Sequence, residues 1–291
     1  MVGYILGSYL VETGKITKEQ LAQVLEGAGK IRVKLGLIAV SEGFMTVAQA
    51  EEVNRLQAVM DKRFGDIAVE NGYLTQPQVE LLLKKQGDEY LIFLQTIVDQ
   101  GIMSMADTEN LLADYKKARG LSDEECEALK SGDTDAVISM FLPKEATLFE
   151  ELAGVAVRTM IRCVDRDICL EQGNMEESIN GKNGAFQTLE AEDGSRICVG
   201  LIEEDGGFLN VASSFAGEAF ATLDADALDS CAELLNCING IYASAKSKES
   251  IEWELLPPAM YETDQDMQAD GGICVLPMLV KGSRLRFVVF Q

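Results

Sequence analysis

The 291-residue chain carries 25 Lys+Arg against 48 Asp+Glu, a formal net charge of −23, and no histidine. Its length suits two domains, and its 47% hydrophobic content can fill sizeable cores. The acidity excludes a nucleic-acid polymer or an anionic membrane as the main partner, and the missing imidazole excludes His bases, His metal ligands and Ser-His or Cys-His nucleophiles.

The chain opens with MVGYILGSYLVE, apolar but without a basic start or a small-residue cleavage pattern, so it is not read as a signal peptide. It is instead the first piece of a repeat. Gly14, Gly43, Gly72 and Gly101 are each 29 residues apart, and Gly7, Gly36 and Gly65 keep the same spacing, with Leu94 in the fourth slot. Thr17, Thr46, Thr75 and Ser104 follow the first set by three residues, and Gln20, Gln49, Gln78 and Asp107 follow by three more. The first three pairs are capping boxes, which satisfy orphan amides at a helix start; Asp107 is one methylene short of the usual partner. Each unit therefore reads as a short helix, a left-handed glycine, an apolar anchor (Ile16, Met45, Leu74, Met103) and a capped second helix. One such hairpin cannot bury its apolar face, so residues 1–117 are predicted to form an all-α domain of four stacked helical hairpins.

Residues 63–86, RFGDIAVENGYLTQPQVELLLKKQ, resemble the tandem 24-residue motif of the MshE N-terminal family, also found at the front of type II secretion ATPases. Residues 34–57 fit the same pattern more loosely. The resemblance implies a cyclic di-GMP site built from two adjacent motifs. Its residues here would be Lys34, Leu35, Gly36 and Gln57 from one unit, and Arg63, Phe64, Gly65 and Gln86 from the next. A guanidinium suits a phosphate or a purine face, glycine permits close approach, and Gln can read a guanine edge. The first unit has Ile5 and Ala28 at the terminal positions of the motif, and the fourth has Ile92 and Tyr115.

Residues 118–145 read as a helical linker, with a capped piece from Ser122 to Lys130 and a second piece ending before Pro143. From 146 to 291 the composition turns acidic: residues 121–291 hold 12 basic and 32 acidic side chains, against 13 and 16 in residues 1–120. A long helix is predicted over about 146–170, then a polar loop, then strands over 184–191, 196–203 and 208–213. A helix follows over 226–245, and strands over 251–255, 272–280 and 283–290. This order predicts an α+β sandwich. The seven cysteines are odd in number and lack a C-x-x-C pair, which points to a reducing cytoplasm, no disulfide framework and no metal site.

Within the predicted helix over 226–245, Asp229, Glu233 and Asn236 are spaced i, i+4 and i+7 and share one face, and Pro257 follows Asn236 after twenty residues. This stretch resembles the D/S-x3-E-x2-N-x22-P signature of the CheC, CheX and FliY chemotaxis phosphatases, with a layout nearest to CheX. The resemblance implies hydrolysis of the aspartyl phosphate of a CheY-like response regulator. Asn236 would orient the attacking water and Glu233 would pair with a lysine of the regulator; Asp229 and Pro257 are the flanking motif positions. No cofactor of its own is implied, since Mg2+ belongs to the phosphorylated partner. The family carries a small Gly before the Asn, where this chain has Leu235, a bulk expected to crowd a partner loop. The resemblance also implies a homodimer through the C-terminal domain, and an apolar terminal strand, Leu285–Phe290, would be a liability that association hides. The whole reads as a signalling protein with a CheX-like phosphatase domain and a cyclic di-GMP-sensing repeat domain. The alternative is a non-catalytic adaptor acting through protein contacts.

Overall fold

A computed structural model describes residues 1–28, 31–166, 168–261 and 265–291. The chain divides into two compact units, Val2–Asp133 and Thr134–Gln291.

In the first unit, repeat 1 comprises α1 (Val2–Glu12) and α2 (Lys18–Gly27), and repeat 2 comprises α3 (Leu35–Ser41) and α4 (Val47–Gln57). Repeat 3 comprises α5 (Phe64–Glu70) and α6 (Gln76–Lys84). Repeat 4 comprises α7 (Glu89–Asp99), α8 (Met105–Glu109) and α9 (Leu111–Arg119). The four turn glycines are left-handed, with φ between +68° and +72°. Each allows the chain to leave its first helix and enter a capped second one. Thr17 N–H donates to Gln20 Oε1 at 2.8 Å, and Gln20 N–H returns the bond to Thr17 Oγ1 at 3.2 Å. Asp107 completes the same box at Ser104, at 2.9 and 3.2 Å, despite its shorter side chain.

The stack does not follow sequence order. Helix α3 packs on α5 and α6, and α4 on α5, joining repeats 2 and 3. In the same manner α7 packs on α1 and α2, and α9 on α1, joining repeats 4 and 1. The two pairs meet along α3 and α7, so the spatial order is 3-2-4-1. The cause lies in α7, EYLIFLQTIVD, which buries Tyr90, Leu91, Phe93, Leu94 and Ile97 around most of its circumference. A helix apolar on so many sides needs neighbours on several of them and takes a central position. A further helix, α10 (Asp123–Ser131), also packs on α7 and ends at left-handed Gly132. Thus residues 118–133, read from the sequence as the start of a linker, belong to the first unit.

The second unit opens with α11 (Thr134–Ser139), a 3-10 turn over Lys144–Phe149 and α12 (Glu150–Cys163). The helix predicted over 146–170 is therefore shorter. Its front is a 3-10 turn with Ala146 off helical geometry, and the chain leaves the helix at Val164. Strands β1 (Cys169–Leu170), β2 (Asn174–Gly181), β3 (Gly184–Ala191) and β4 (Arg196–Glu203) come next, then α13 (Gly207–Ala216) and α14 (Ala225–Ser247). The unit finishes with β5 (Trp253–Leu255), β6 (Ala259–Tyr261), β7 (Gln265–Val280) and β8 (Ser283–Phe290). All pairings are antiparallel, in the order β1-β7-β8-β4-β3-β5, with β2 added on β7 and β6 on β3. Helices α12, α13 and α14 share one buried core with the sheet, including Val157, Phe208, Leu235, Leu276 and Phe287. A smaller cluster, Ile179, Phe186, Ile202, Ile273, Val275 and Val288, is separate from it. This is the α+β arrangement that the element order predicts.

Three expectations change here. Residues 208–213 are helical, because Phe208, Val211 and Ala212 bury at i, i+3 and i+4 rather than alternating. Glu203 accepts from the N–H groups of Gly206 and Phe208 at 2.5 and 2.6 Å where α13 begins, and burial raises its carboxyl pKa. The polar stretch NMEESING, read as loop, is strand β2, held by its ladder to β7 rather than by its own apolar content. Finally, Leu285–Phe290 is no edge: β8 pairs with β4 on one side and β7 on the other. The homodimer expected through that strand loses its physical reason.

Candidate functional site

Helix α14 starts at Asp224, whose side chain accepts from Ala227 N–H at 3.0 Å. Its inner face buries Leu228, Cys231, Leu234, Leu235 and Ile238. Leu235 is fully buried (0% exposed), so the bulk expected to crowd a partner points into the core instead. Asp229 and Glu233 are exposed on the outer face, and Asn236 stands half-buried at the border between the two. Among the described residues neither Asp229 nor Glu233 has an ion-pair partner. The Cys237 thiol, next along this face, has its pKa raised by burial first and then by the negative charge of Glu233. Pro257 and Pro258 are exposed, in the segment between β5 and β6.

Two residues that no sequence motif marked connect these parts. Gln187 on β3 donates from Nε2 to Asn236 Oδ1 at 2.8 Å and to the Leu256 carbonyl at 2.9 Å. Its Oε1 accepts from Asn239 Nδ2, also at 2.9 Å. Gln187 is 2% exposed and Asn239 0%, so the network lies beneath the surface that Asn236 reaches. Leu256 N–H is itself held by the Thr188 carbonyl at 2.9 Å, which continues the β3–β5 pairing up to the proline. Glu233, Asn236 and Pro257 are thus tied to one region: a free carboxylate, an anchored amide, and a proline just after the carbonyl that anchors it.

The first unit holds a cleft of ≈ 880 Å³ between repeats 2 and 3. Lys34, Leu35, Gln57, Arg63, Phe64, Gly65 and Gln86 all line it. Gly36 does not; a Cβ there would lie 3.1 Å from the Phe64 ring, so this glycine lets the ring seat against α3. Lys34 Nζ pairs with Asp99 at 2.7 Å, and Gln86 Nε2 donates to the Val33 carbonyl at 2.8 Å. Gln57 donates to the Lys62 carbonyl at 3.3 Å. Among the described residues, Arg63 has no carboxylate partner. A third cation, Arg32, also lines the cleft and donates to Gln86 Oε1 at 3.3 Å. It stands two residues out of phase with the repeat, so aligning the units on their glycines passes over it. Three cations against one carboxylate, Asp66, and four primary amides, Asn54, Gln57, Gln76 and Gln86, over an apolar floor that includes Leu35, Phe64 and Val79 can hold an anionic ligand with a flat ring.

No protein-family model matches the chain, and neither does any curated protein. Among solved structures, a CheC-like superfamily protein from Shewanella sp. PV-4 is similar at 13% identity and a TM-score of 0.42, over 47% of this chain and 92% of that one. A chemotactic CheC-like protein from Shewanella oneidensis MR-1 is similar at 11% identity and a TM-score of 0.44, over 50% and 97%. A chain of the CheX-CheY-BeF3-Mg2+ complex from Borrelia burgdorferi is similar at 14% identity and a TM-score of 0.35, over 48% and 95%. Among the described residues, no helix is long and apolar enough to cross a membrane.

Proposed function

We propose that the second unit docks a CheY-like response regulator and hydrolyses its aspartyl phosphate, and that the first unit binds cyclic di-GMP. The chain would then act in cytoplasmic chemotaxis signalling. The observation that carries the phosphatase reading is the placement on one helix of an exposed Glu233, without an ion-pair partner among the described residues, and a half-buried Asn236 whose amide is held from below. An acyl phosphate is already activated, so placing a water in line is most of the catalytic task, and a fixed amide can do it without histidine. Glu233 supplies a charge for a regulator lysine, and its freedom from internal ion pairs leaves it available. Buried Leu235 leaves the outer face clear for the regulator.

The nucleotide reading rests on the cleft. Two tandem motifs present their cations and amides to one space, and a two-fold ligand with two phosphates matches two tandem half-sites. Arg63 carries the larger share, because it forms a planar fork and has no ion-pair partner among the described residues, whereas Lys34 is already paired with Asp99. Arg32 takes the second phosphate in place of Lys34.

Incubation with phosphorylated CheY-like receivers, following loss of label, tests the enzyme. Asn236→Ala should abolish turnover in a domain that still folds, at a stability cost of about 1–3 kcal/mol because buried Gln187 loses an acceptor, and Glu233→Ala should also weaken receiver binding. Equal rates for wild type and Asn236→Ala would sink the mechanism. Receiver binding without any loss of label would identify the non-catalytic adaptor. A homodimer, expected from the same resemblance, would need a surface other than β8, and light scattering reads it directly.

A further inference from the structure

We propose that Gln187 is a positioning residue that fixes which way the Asn236 amide faces, so that Asn236 presents its N–H2 group outward as a hydrogen-bond donor; this rests on the phosphatase reading of the same site. The orientation follows from one atom of known character. The Leu256 carbonyl can only accept, so the Gln187 atom 2.9 Å from it is Nε2. Nε2 has two hydrogens, and the second lies on Asn236 at 2.8 Å, so the Asn236 atom facing it is the acceptor Oδ1. The Asn236 Nδ2 is then turned away from Gln187, toward the exposed side, with no protein partner among the described residues. On the other side Gln187 Oε1 takes a hydrogen from Asn239 Nδ2 at 2.9 Å.

The carbonyl that starts this chain is itself constrained. Leu256 precedes Pro257, and a residue before proline is confined to extended geometry by the proline ring. Its N–H is held by Thr188. The motif proline therefore acts at a distance. It sets the Leu256 carbonyl, which orients Gln187, which orients Asn236. With both Nε2 hydrogens and Oε1 engaged, Gln187 cannot flip without breaking three bonds in a buried site. A water or phosphoryl oxygen of a docked partner meets a donor already aimed and needs no reorganisation of the amide.

The test uses the full chain and a phosphorylated CheY-like receiver. Gln187→Met keeps the volume and removes all three hydrogen bonds; Gln187→Glu keeps an acceptor for Asn239 and removes both donors. Each should lower kcat roughly ten- to hundred-fold, the scale expected for a misplaced positioning group, with KM unchanged because Glu233 is untouched. A kcat within about twofold of wild type in a folded variant would overturn the proposal. If no receiver is turned over by wild type, the phosphatase reading fails and the positioning is read by side-chain amide NMR. The Gln187 Nε2 protons should exchange slowly with water and those of Asn236 fast, and the Asn236 pair should shift in either variant. Protected Asn236 protons in wild type, or an Asn236 pair unmoved by the substitution, would overturn it. Should Gln187→Met fail to fold, Gln187→Glu and the wild-type exchange rates carry the decision.

Discussion

Repeats 2 and 3 meet in the same way as repeats 4 and 1, yet one junction is a polar cleft and the other is filled with apolar side chains. Two repeat periods separate the equivalent positions. Lys34 and Gln57 in repeat 2 correspond to Ile92 and Tyr115 in repeat 4. Arg63 and Gln86 in repeat 3 correspond to Ile5 and Ala28 in repeat 1. Ile5 is 5% exposed, and Tyr115 packs edge-on against Tyr9 with ring centroids 5.3 Å apart. Fully burying a side chain of that size contributes about 1.5–3 kcal/mol. The 2/3 junction forgoes that gain and keeps cations and amides where the fold tolerates apolar residues. A chain that holds both solutions on one scaffold separates what the joint needs from what a ligand needs.

The sharpest way to break the comparison is to exchange the residues. Ile5→Arg puts an unpaired charge into the packed junction and should cost about 3–5 kcal/mol in chemical denaturation. Arg63→Ile, at the equivalent position, should change stability by no more than about 0.5 kcal/mol. Equal costs would mean that the two junctions are not equivalent. Next in size is binding. Arg63→Ala should weaken cyclic di-GMP by about 1.5–3 kcal/mol, roughly ten- to hundred-fold, in calorimetry on the full chain. The same titration should show one ligand per chain, since the 4/1 junction has Ile92 and Ile5 where the 2/3 junction has Lys34 and Arg63. The smallest effect sharpens the role of Lys34. Asp99→Asn frees it from an exposed ion pair and should tighten the nucleotide by about 0.2–1 kcal/mol; a weaker affinity would show that Asp99 belongs to the site.

What the sequence made legible is what short-range rules govern. The turn glycines and capping boxes act within a few residues, so the hairpins can be placed from spacing alone. Strands β3, β4 and β8 have the bounds their apolar content suggests, and α14 extends its predicted range by only one or two residues at either end. Residues 208–213 misled because FLNVAS carries enough apolar character for either period, and only packing under the sheet selects the helix. Strand β2 has almost no apolar signal of its own; its partner supplies the ladder. Gln187 is one polar residue in an apolar strand, and its role arises only when the β3–β5 register brings it beneath the Leu256 carbonyl. Arg32 escaped for a simpler reason, since it is out of step with the period that marks its neighbours.

The spatial order of the repeats also sets a schedule for synthesis. Repeats 2 and 3 are adjacent in the chain and can pair as soon as both have emerged. Repeat 1 precedes them and α1 can pair with α2 at once, but the side of Val2–Glu12 that docks on α7 waits until Glu89–Asp99 has been made. At 5–20 residues per second that interval is roughly 4 to 17 s, long against the microseconds in which a helix forms. Throughout it the side of α1 that α2 leaves bare stays uncovered, although Ile5, Leu6 and Leu10 all end up buried. The earliest helix of the repeat stack is among the last to complete its packing, and it is a segment a chaperone would be expected to hold.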